Sequence, residues 1–249
     1  MHYIVLDLEF NQEPSSSNIS ADRLSVCPYE IIQIGAIKLD SERIAVASFN
    51  RYIKPTIYLK VSDFVSELTG ITTQRLLPEK KFPQVLDEFI QFIGNDPVLC
   101  TWGMTDIKEL YRNARFYDYN LMQLPDVFIN IQPYVSVLLK QSPKKLFNLQ
   151  AAVEALSIPI SYPFHNALYD AYYTTQLFKK LSALTLQPEK YIPDLQKPKR
   201  TPAKQVVDYE GLLEQFKKMY QRNLTREEQS MITLAYKMGR THQFVKKQS

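Results

Sequence analysis

Two carboxylates stand one residue apart near the start of the chain. In Ile4-Val5-Leu6-Asp7-Leu8-Glu9-Phe10, a short apolar run suited to a buried strand ends in Asp7 and Glu9. Side chains alternate along a strand, so both acids share one face while Leu8 points the other way, into a core. Carboxylates side by side repel each other unless a cation lies between them. Oxygen ligands at this spacing suit Mg²⁺ or Mn²⁺ better than zinc. Taken alone, the pair also fits a solvated strand edge.

Further along the chain are two more acids and a histidine of interest. Asp106 follows the apolar stretch 98–102 after the short turn Gly103-Met104-Thr105. That is the C-terminal end of a strand, where open α/β sheets place ligands. An acid there also serves simply to start a helix. In Pro163-Phe164-His165-Asn166-Ala167-Leu168-Tyr169-Asp170-Ala171, a helix starting near Asn166 carries Asp170 about one turn in. His165 lies just before that helix and within reach of the same space. The other reading of His165 is a cap or a surface residue.

The elements that must position these groups follow from periodicity. Residues 30–39 and 45–53 read as second and third strands of an antiparallel meander, with Phe49, Tyr52 and Ile53 as packing residues. The polar stretch 11–18 has loop chemistry and leaves directly from the acid pair. Gly70, in Leu68-Thr69-Gly70-Ile71-Thr72, is placed to stop a short helix. Phe82, Val85, Leu86, Phe89, Ile90 and Ile93 recur at helical spacing. A strand over 98–102, a helix over 106–116 and a strand over 127–129 come next. Helices over 132–139, 146–156 and 167–184 complete a mixed-sheet α/β layout with helices flanking the sheet.

A chain of 249 residues accommodates one large domain or one domain with an appendage. With 45% hydrophobic and 12% aromatic residues it can bury a substantial core. Cys27 and Cys100 are too few for a disulfide framework and have no metal-site spacing, which points to buried thiols in a reducing compartment. No apolar stretch reaches the roughly 18 residues of a membrane span, and no signal peptide is evident. A cytoplasmic protein is the expectation. Charge is uneven: residues 186–249 hold 13 Lys/Arg against 7 Asp/Glu, and residues 1–185 hold 17 against 19. A basic tail on a slightly acidic body suits a polyanionic partner, or is a solvated tail that binds nothing.

Together, Asp7-x-Glu9, Asp106 and His165-x-x-x-x-Asp170 resemble the DEDDh (DnaQ-like) family of 3′→5′ exonucleases in order and approximate separation. Leu68-Thr69-Gly70-Ile71-Thr72 is similar to the family segment beside the 3′-terminal nucleotide. Glu30-Ile31-Ile32-Gln33-Ile34-Gly35-Ala36 is similar to its second strand. Thr101-Trp102-Gly103 resembles the Eri-like and KapD-like branch. Asn166, where a tyrosine-type relative has Tyr, favours the histidine type. The resemblance covers about residues 1–185 and implies a ribonuclease H-like fold.

The resemblance also implies two Mg²⁺ ions, with Mn²⁺ able to substitute, held by Asp7, Glu9, Asp106 and Asp170. Asp7 would bridge them, and His165 would be the general base, imidazole having an ordinary pKa near about 6.5. Phe10, Leu68, Thr69 and Ile71 are expected beside the last nucleotide, with Asn11 able to bond a 2′-hydroxyl. For Phe10, Leu68 and Ile71 the rival reading is ordinary core. The expected partners are the 3′ ends of RNA or single-stranded DNA, and RNA is favoured by the Eri-like resemblance. Two other readings are a non-catalytic regulatory protein, as in KapD-like control of sporulation, and a polymerase-associated proofreading exonuclease.

Beyond the resemblance, residues 186–205 (Pro188, Pro193, Pro198 and Pro202 with Lys197, Lys199, Arg200 and Lys204) read as a basic linker. Residues 206–249 read as a helical extension. Leu212, Leu213, Phe216 and Met219 have helical spacing, and Thr225-x-x-Glu228 is a capping box ahead of Met231, Ile232, Leu234, Ala235 and Met238. This hairpin is either a nucleic-acid grip through Lys217, Lys218, Arg222, Lys237 and Arg240, or it packs on the body or on a second copy as a homodimer.

Overall fold

The structure, a computed structural model, describes residues 2–12, 27–193 and 208–240. The chain divides into two units, Met1–Lys199 and Arg200–Ser249. In the first unit the strands are β1 His2–Gln12, β2 Tyr29–Leu39, β3 Ala45–Tyr52, β4 Pro97–Thr101, β5 Val127–Asn130 and β6 Glu189–Lys190. Among the described residues they form one sheet in the order β3-β2-β1-β4-β5-β6. The β1–β2 and β2–β3 pairs are antiparallel, as the meander predicts, while β1–β4 and β4–β5 are parallel and β5–β6 is antiparallel.

The helices are α1 Asp63–Thr69, α2 Thr73–Leu76, α3 Phe82–Ile93, α4 Thr105–Phe116, α5 Gln132–Leu138, α6 Leu149–Ala155 and α7 Ala167–Lys180. They flank the sheet in two layers because β1 alternates. Ile4, Leu6 and Leu8 share a buried cluster with Phe82, Leu86 and Phe89 of α3 and Ile107 and Leu110 of α4. Val5 packs on the opposite face with Val153 of α6 and Ala171, Leu177 and Phe178 of α7. This is the ribonuclease H-like mixed sheet expected from the sequence.

Local chemistry sets most element ends. The Ser62 hydroxyl accepts from the Val65 amide to cap α1, and Gly70 ends it at φ 71°. Asn148 caps α6 through a 2.7 Å bond from the Ala151 amide, so that helix starts three residues later than its apolar spacing suggests. Two expectations need correction. Asn11 and Gln12 belong to β1 rather than to a loop: Asn11 pairs with Glu30 across a bulge that falls between Glu9 and Phe10. The segment expected to begin the linker instead closes the sheet. Glu189 and Lys190 pair with β5, and Tyr191 packs 4.8 Å from the Tyr111 ring. An exposed sheet edge and buried aromatic surface outweigh the Pro-rich composition there. Residues 194–205 of the expected linker lie outside the described residues.

The second unit contains α8 Tyr209–Tyr220 and α9 Arg226–Arg240. Its capping box forms as predicted: the Glu228 amide donates to the Thr225 hydroxyl at 3.2 Å, and the Thr225 amide to the Glu228 carboxylate at 2.8 Å. No helix among the described residues is long and apolar enough to cross a membrane.

Gly35 decides how closely α7 approaches the sheet. It lies opposite Asp7 in the β1–β2 register, and a Cβ there would sit 2.1 Å from the Ala167 carbonyl carbon and 2.2 Å from the Leu168 nitrogen. Only a residue without a side chain lets the first turn of α7 rest on β2. Gly35→Ala must displace that turn. The expected cost is about 1–3 kcal/mol in urea denaturation, together with loss of divalent-ion binding measured by calorimetry. Unchanged stability and ion affinity would show that the contact does not hold the helix.

Candidate active site

The β1–β4 pairing runs only over His2–Val5. Asp7 and Glu9 therefore lie past the end of β4, on the open side of the sheet. From there the chain turns through Thr101-Trp102-Gly103 into α4. The turn is fixed by the Thr101 hydroxyl, which donates to the Gly103 carbonyl at 2.7 Å, and by Asn130, whose side chain accepts from the Gly103 amide at 3.1 Å. It delivers Asp106 in the first turn of α4. On the other face, α7 delivers Asp170 in its own first turn.

Carboxylate oxygens of Asp7, Glu9 and Asp170 lie within 4.8 Å of one another. Burial, added to by the charges of Asp106, Asp170 and Glu9, holds Asp7 well above the ordinary carboxylate range. Burial, with Asp170 and Asp106, pushes Glu9 up to about 8. Burial raises Asp106 too, against opposing hydrogen bonds from the backbone amides of Asp106 and Leu8. Burial takes Asp170 to about 6, although the His165 amide donates to it. Among the described residues, none of these four acids is paired with Lys or Arg.

The residues fit a divalent-cation centre. One oxygen of Asp170, Oδ1, is buried without a hydrogen-bond partner, and the donor set is all carboxylate. Hard, oxygen-seeking ions are what such a set holds. A cation there would remove the repulsion that raises the acids.

His165 is exposed, in the bend before α7, with φ at 64°. Its backbone amide, 3.1 Å from Asp170 Oδ2, makes the contact with the acids. Its imidazole is not part of the carboxylate group.

The expected nucleotide contacts divide. Leu68 is exposed, and Phe10 is half-buried against Tyr29 with ring centroids 6.1 Å apart. Ile71 is core, packed with Ile32, Val61, Val65 and Leu76. The Thr69 hydroxyl is occupied, donating to the Val65 carbonyl at 2.8 Å and accepting from the Ile71 amide at 3.1 Å. Asn11 is corrected outright: it is fully buried and its amide donates to the Tyr58 and Lys60 carbonyls at 3.1 and 2.9 Å, while its oxygen accepts from the Ser62 amide at 3.1 Å. It is a fastener for the 58–62 segment and for the cap of α1, with no donor left for a 2′-hydroxyl. Its β2 partner Glu30 acts on the same segment, accepting from the amides of Thr56, Ile57 and Tyr58.

Sequence reasoning missed Gln33 as an organiser, while the helix start expected near Asn166 is where the structure has it. Gln33 is fully buried opposite Glu9. Its amide donates to Asn50 at 2.9 Å and Asn166 at 3.4 Å, and its oxygen accepts from the Ala167 amide at 3.3 Å. Asn166 in turn caps α7 through the Leu168 amide at 3.2 Å. The available signal was a lone Gln two residues before Gly35 in the otherwise apolar run 31–37.

Comparison with known proteins agrees with this geometry. The family model described as Exonuclease, RNase_T, matches residues 4–178, a span that takes in all four acids and His165. Over 154 residues the chain is 34% identical to a DNA polymerase III PolC-type of Thermotoga petrophila, which covers 60% of this chain and 10% of that protein. It is 25% identical over 122 residues to the ERI1 exoribonuclease 3 of Homo sapiens, 49% of this chain and 32% of that one. Each match takes in well under two thirds of the relative. The nuclease domain of 3′hExo, a DEDDh family member bound to rAMP, shares the fold with a TM-score of 0.63 at 21% identity, covering 76% of this chain and 97% of that chain.

Two outcomes follow from the site. A carboxyl raised in the folded protein binds a proton that the unfolded chain has already released, so it lowers metal-free stability as pH rises above the ordinary carboxylate range. In EDTA, Asp170→Asn should therefore be more stable than wild type near pH 8, by up to roughly 3 kcal/mol, and the gap should shrink as pH falls below about 6 and close in the ordinary carboxylate range. With Mg²⁺ added, wild type should gain more in thermal melting than the variant does. A gap independent of pH would contradict this account of Asp170. Asn11→Ala should lower stability by about 1–3 kcal/mol in urea titration and leave any RNA-to-DNA preference unaltered, since its bonds are internal. A changed preference with intact stability would restore Asn11 as a substrate contact.

Proposed function

The chain belongs to the RNase_T exonuclease family, and from that premise we propose that it removes nucleotides from the 3′ end of single-stranded nucleic acid, RNA in preference to DNA, releasing nucleoside 5′-monophosphates. The observation that carries this reading is the convergence of Asp7, Glu9 and Asp170 within 4.8 Å, in the electrostatic field of Asp106. Two Mg²⁺ ions, or Mn²⁺, supply an activated water and stabilise the leaving alkoxide when bound. Asp7, Glu9, Asp106 and Asp170 are the residues to hold them. His165 takes the proton from the attacking water, and its exposed position leaves the imidazole free to swing in when a strand is bound. Glu9 contacts the terminal 3′-hydroxyl. Phe10 and Leu68 offer apolar surface to the last base, whereas the role of Asn11 is given up. Two buried free thiols, Cys27 and Cys100, support a reducing, cytoplasmic setting. Exposed Met219, Met231 and Leu234 on the second unit support self-association through α8 and α9.

The RNA preference rests on the likeness to an exoribonuclease and on Thr101-Trp102-Gly103. A second reading, proofreading of DNA beside a polymerase, is favoured by the 34% identity to a PolC-type polymerase over 154 residues. The chemistry is the same in both. A purely regulatory role has no observation in its favour, since binding alone has no use for four mutually repelling acids.

Degradation of 5′-labelled RNA and DNA of one sequence separates these readings. With Mg²⁺ the expected result is a ladder shortening from the 3′ end, faster on RNA, and absent with EDTA or in Asp7→Ala. A faster DNA ladder moves the reading to proofreading, and no ladder on either strand sinks it. His165→Ala should slow hydrolysis about 10²–10⁴-fold at neutral pH and alter the acid side of the pH–rate profile. An unchanged profile would remove His165 as the base.

A further inference from the structure

Arg75 stands in a fixed position at the edge of the site, with no assigned role. It lies on α2, whose N-cap Thr72 accepts from the Arg75 amide at 3.2 Å. The next residue, Leu76, is fully buried with Ile32, Val61, Val65 and Ile71. The guanidinium lies over the Tyr52 ring, 4.5 Å from its centroid, and Nη1 pairs with Glu79 at 3.2 Å. Backbone cap, buried neighbour, ring and carboxylate together hold it still. Yet 54% of the side chain remains exposed. A guanidinium carries five N–H donors in a planar fork, so one carboxylate oxygen leaves most of them open.

The ring beneath it ties Arg75 to the acids. Tyr52 pairs with Gln33 across β2–β3, and Gln33 pairs with Glu9 across β1–β2, so the three form a row across the sheet. The Asn166 amide donates to the Tyr52 hydroxyl at 3.4 Å, and Asn166 adjoins His165 and caps the helix that carries Asp170. Two strand spacings separate the backbones of Glu9 and Tyr52, roughly 10 Å. From that distance Arg75 does not reach a phosphate lying on the acids. The phosphate of a neighbouring nucleotide would be the one within its range.

We propose that Arg75 grips a backbone phosphate of the substrate strand, adjacent to the nucleotide being released. The inference rests on the exonuclease reading above. Cations on the acids meet only the phosphate that lies on them, so a further positive charge beside the next phosphate favours the bound strand. A planar fork pre-set by ring stacking is suited to hold phosphate in two-point contact. Such a contact reads neither base nor sugar, so it acts equally on RNA and DNA.

The test uses the full chain, with Arg75→Gln to remove the charge and Arg75→Lys to keep the charge but lose the fork. Fluorescence anisotropy with a short labelled single-stranded RNA, and DNA of the same sequence, is measured with Ca²⁺ present over a range of salt. Arg75→Gln should weaken both strands by the same factor, about 3–10-fold, and reduce the dependence of log affinity on log salt by about 0.7. Arg75→Lys should fall between. Hydrolysis of the p-nitrophenyl ester of thymidine 5′-monophosphate, which has no neighbouring phosphate, should stay within about twofold of wild type, because Arg75 does not touch the reacting group. Unchanged oligonucleotide affinity, weakening of RNA alone, or parallel loss on the ester would each overturn the assignment. Wild-type protein that binds the strands without cleaving them would sink the exonuclease reading and still decide the role of Arg75. Wild-type protein that binds neither strand overturns both.

Discussion

Three carboxylates held within 4.8 Å of one another, with Asp106 acting on them from the start of α4, are the constraint on which this structure depends. Each one is raised above its ordinary range, chiefly by burial and then, at Asp7 and Glu9, by its neighbours. Left to itself, such a cluster pushes its elements apart or takes up protons. The surrounding fold resists both. β1 is locked between β2 and β4, and Leu8 anchors in the core between the two acids. α4 brings Asp106 in by a turn fixed by Thr101 and Asn130, and α7 brings Asp170 in over Gly35. The binding energy of a cation is then available because the ligands are already gathered.

Much of the polar chemistry around the acids is directed inward. Gln33, Asn166, Asn11, Glu30 and the Thr69 hydroxyl are all committed to backbone amides, carbonyls or one another. They hold loops and helix starts in register with β1, which is what a site with small positional tolerance requires. The groups left open to a strand are of other kinds: an exposed imidazole, the exposed Leu68, half-buried Phe10 and a stacked guanidinium. In the function proposed above, stacking, apolar and phosphate contacts made by such groups would be tolerant of base sequence.

The charge asymmetry of the chain takes on a more specific meaning in this light. The basic excess lies in the segment beyond residue 186, yet part of that segment, Glu189 to Tyr191, belongs to the sheet. The remaining basic residues are on α8, on α9, in the turn between them or outside the described residues. In the second unit, Lys217 pairs with Glu214 and Arg222 with Glu228, so not all of that charge is available to a polyanion.

The sequence by itself determined the order of the longer strands and helices of the body, though not the short α2 or β6, because the apolar run of β1 and the 3.6-residue spacing on α3 are local properties of the chain. It also marked out candidate residues: Asp7, Glu9, Asp106, His165 and Asp170 were legible as types at meaningful spacings, and the structure gathers the carboxylates of Asp7, Glu9 and Asp170. The capping box at Thr225 and Glu228 and the stop at Gly70 were legible for the same reason. What only the tertiary structure decided is which polar residues face a substrate and which are spent inside. Asn11 sits two residues from Glu9 and resembles a ligand contact, but its surroundings are supplied by residues 58–62, which lie nearly fifty positions away. Gln33 looks like an interruption of an apolar strand until α7, some 130 residues later, presents its first amide. The partner of a buried hydrogen-bonding group comes from wherever the fold brings the chain back, and local periodicity carries no record of that.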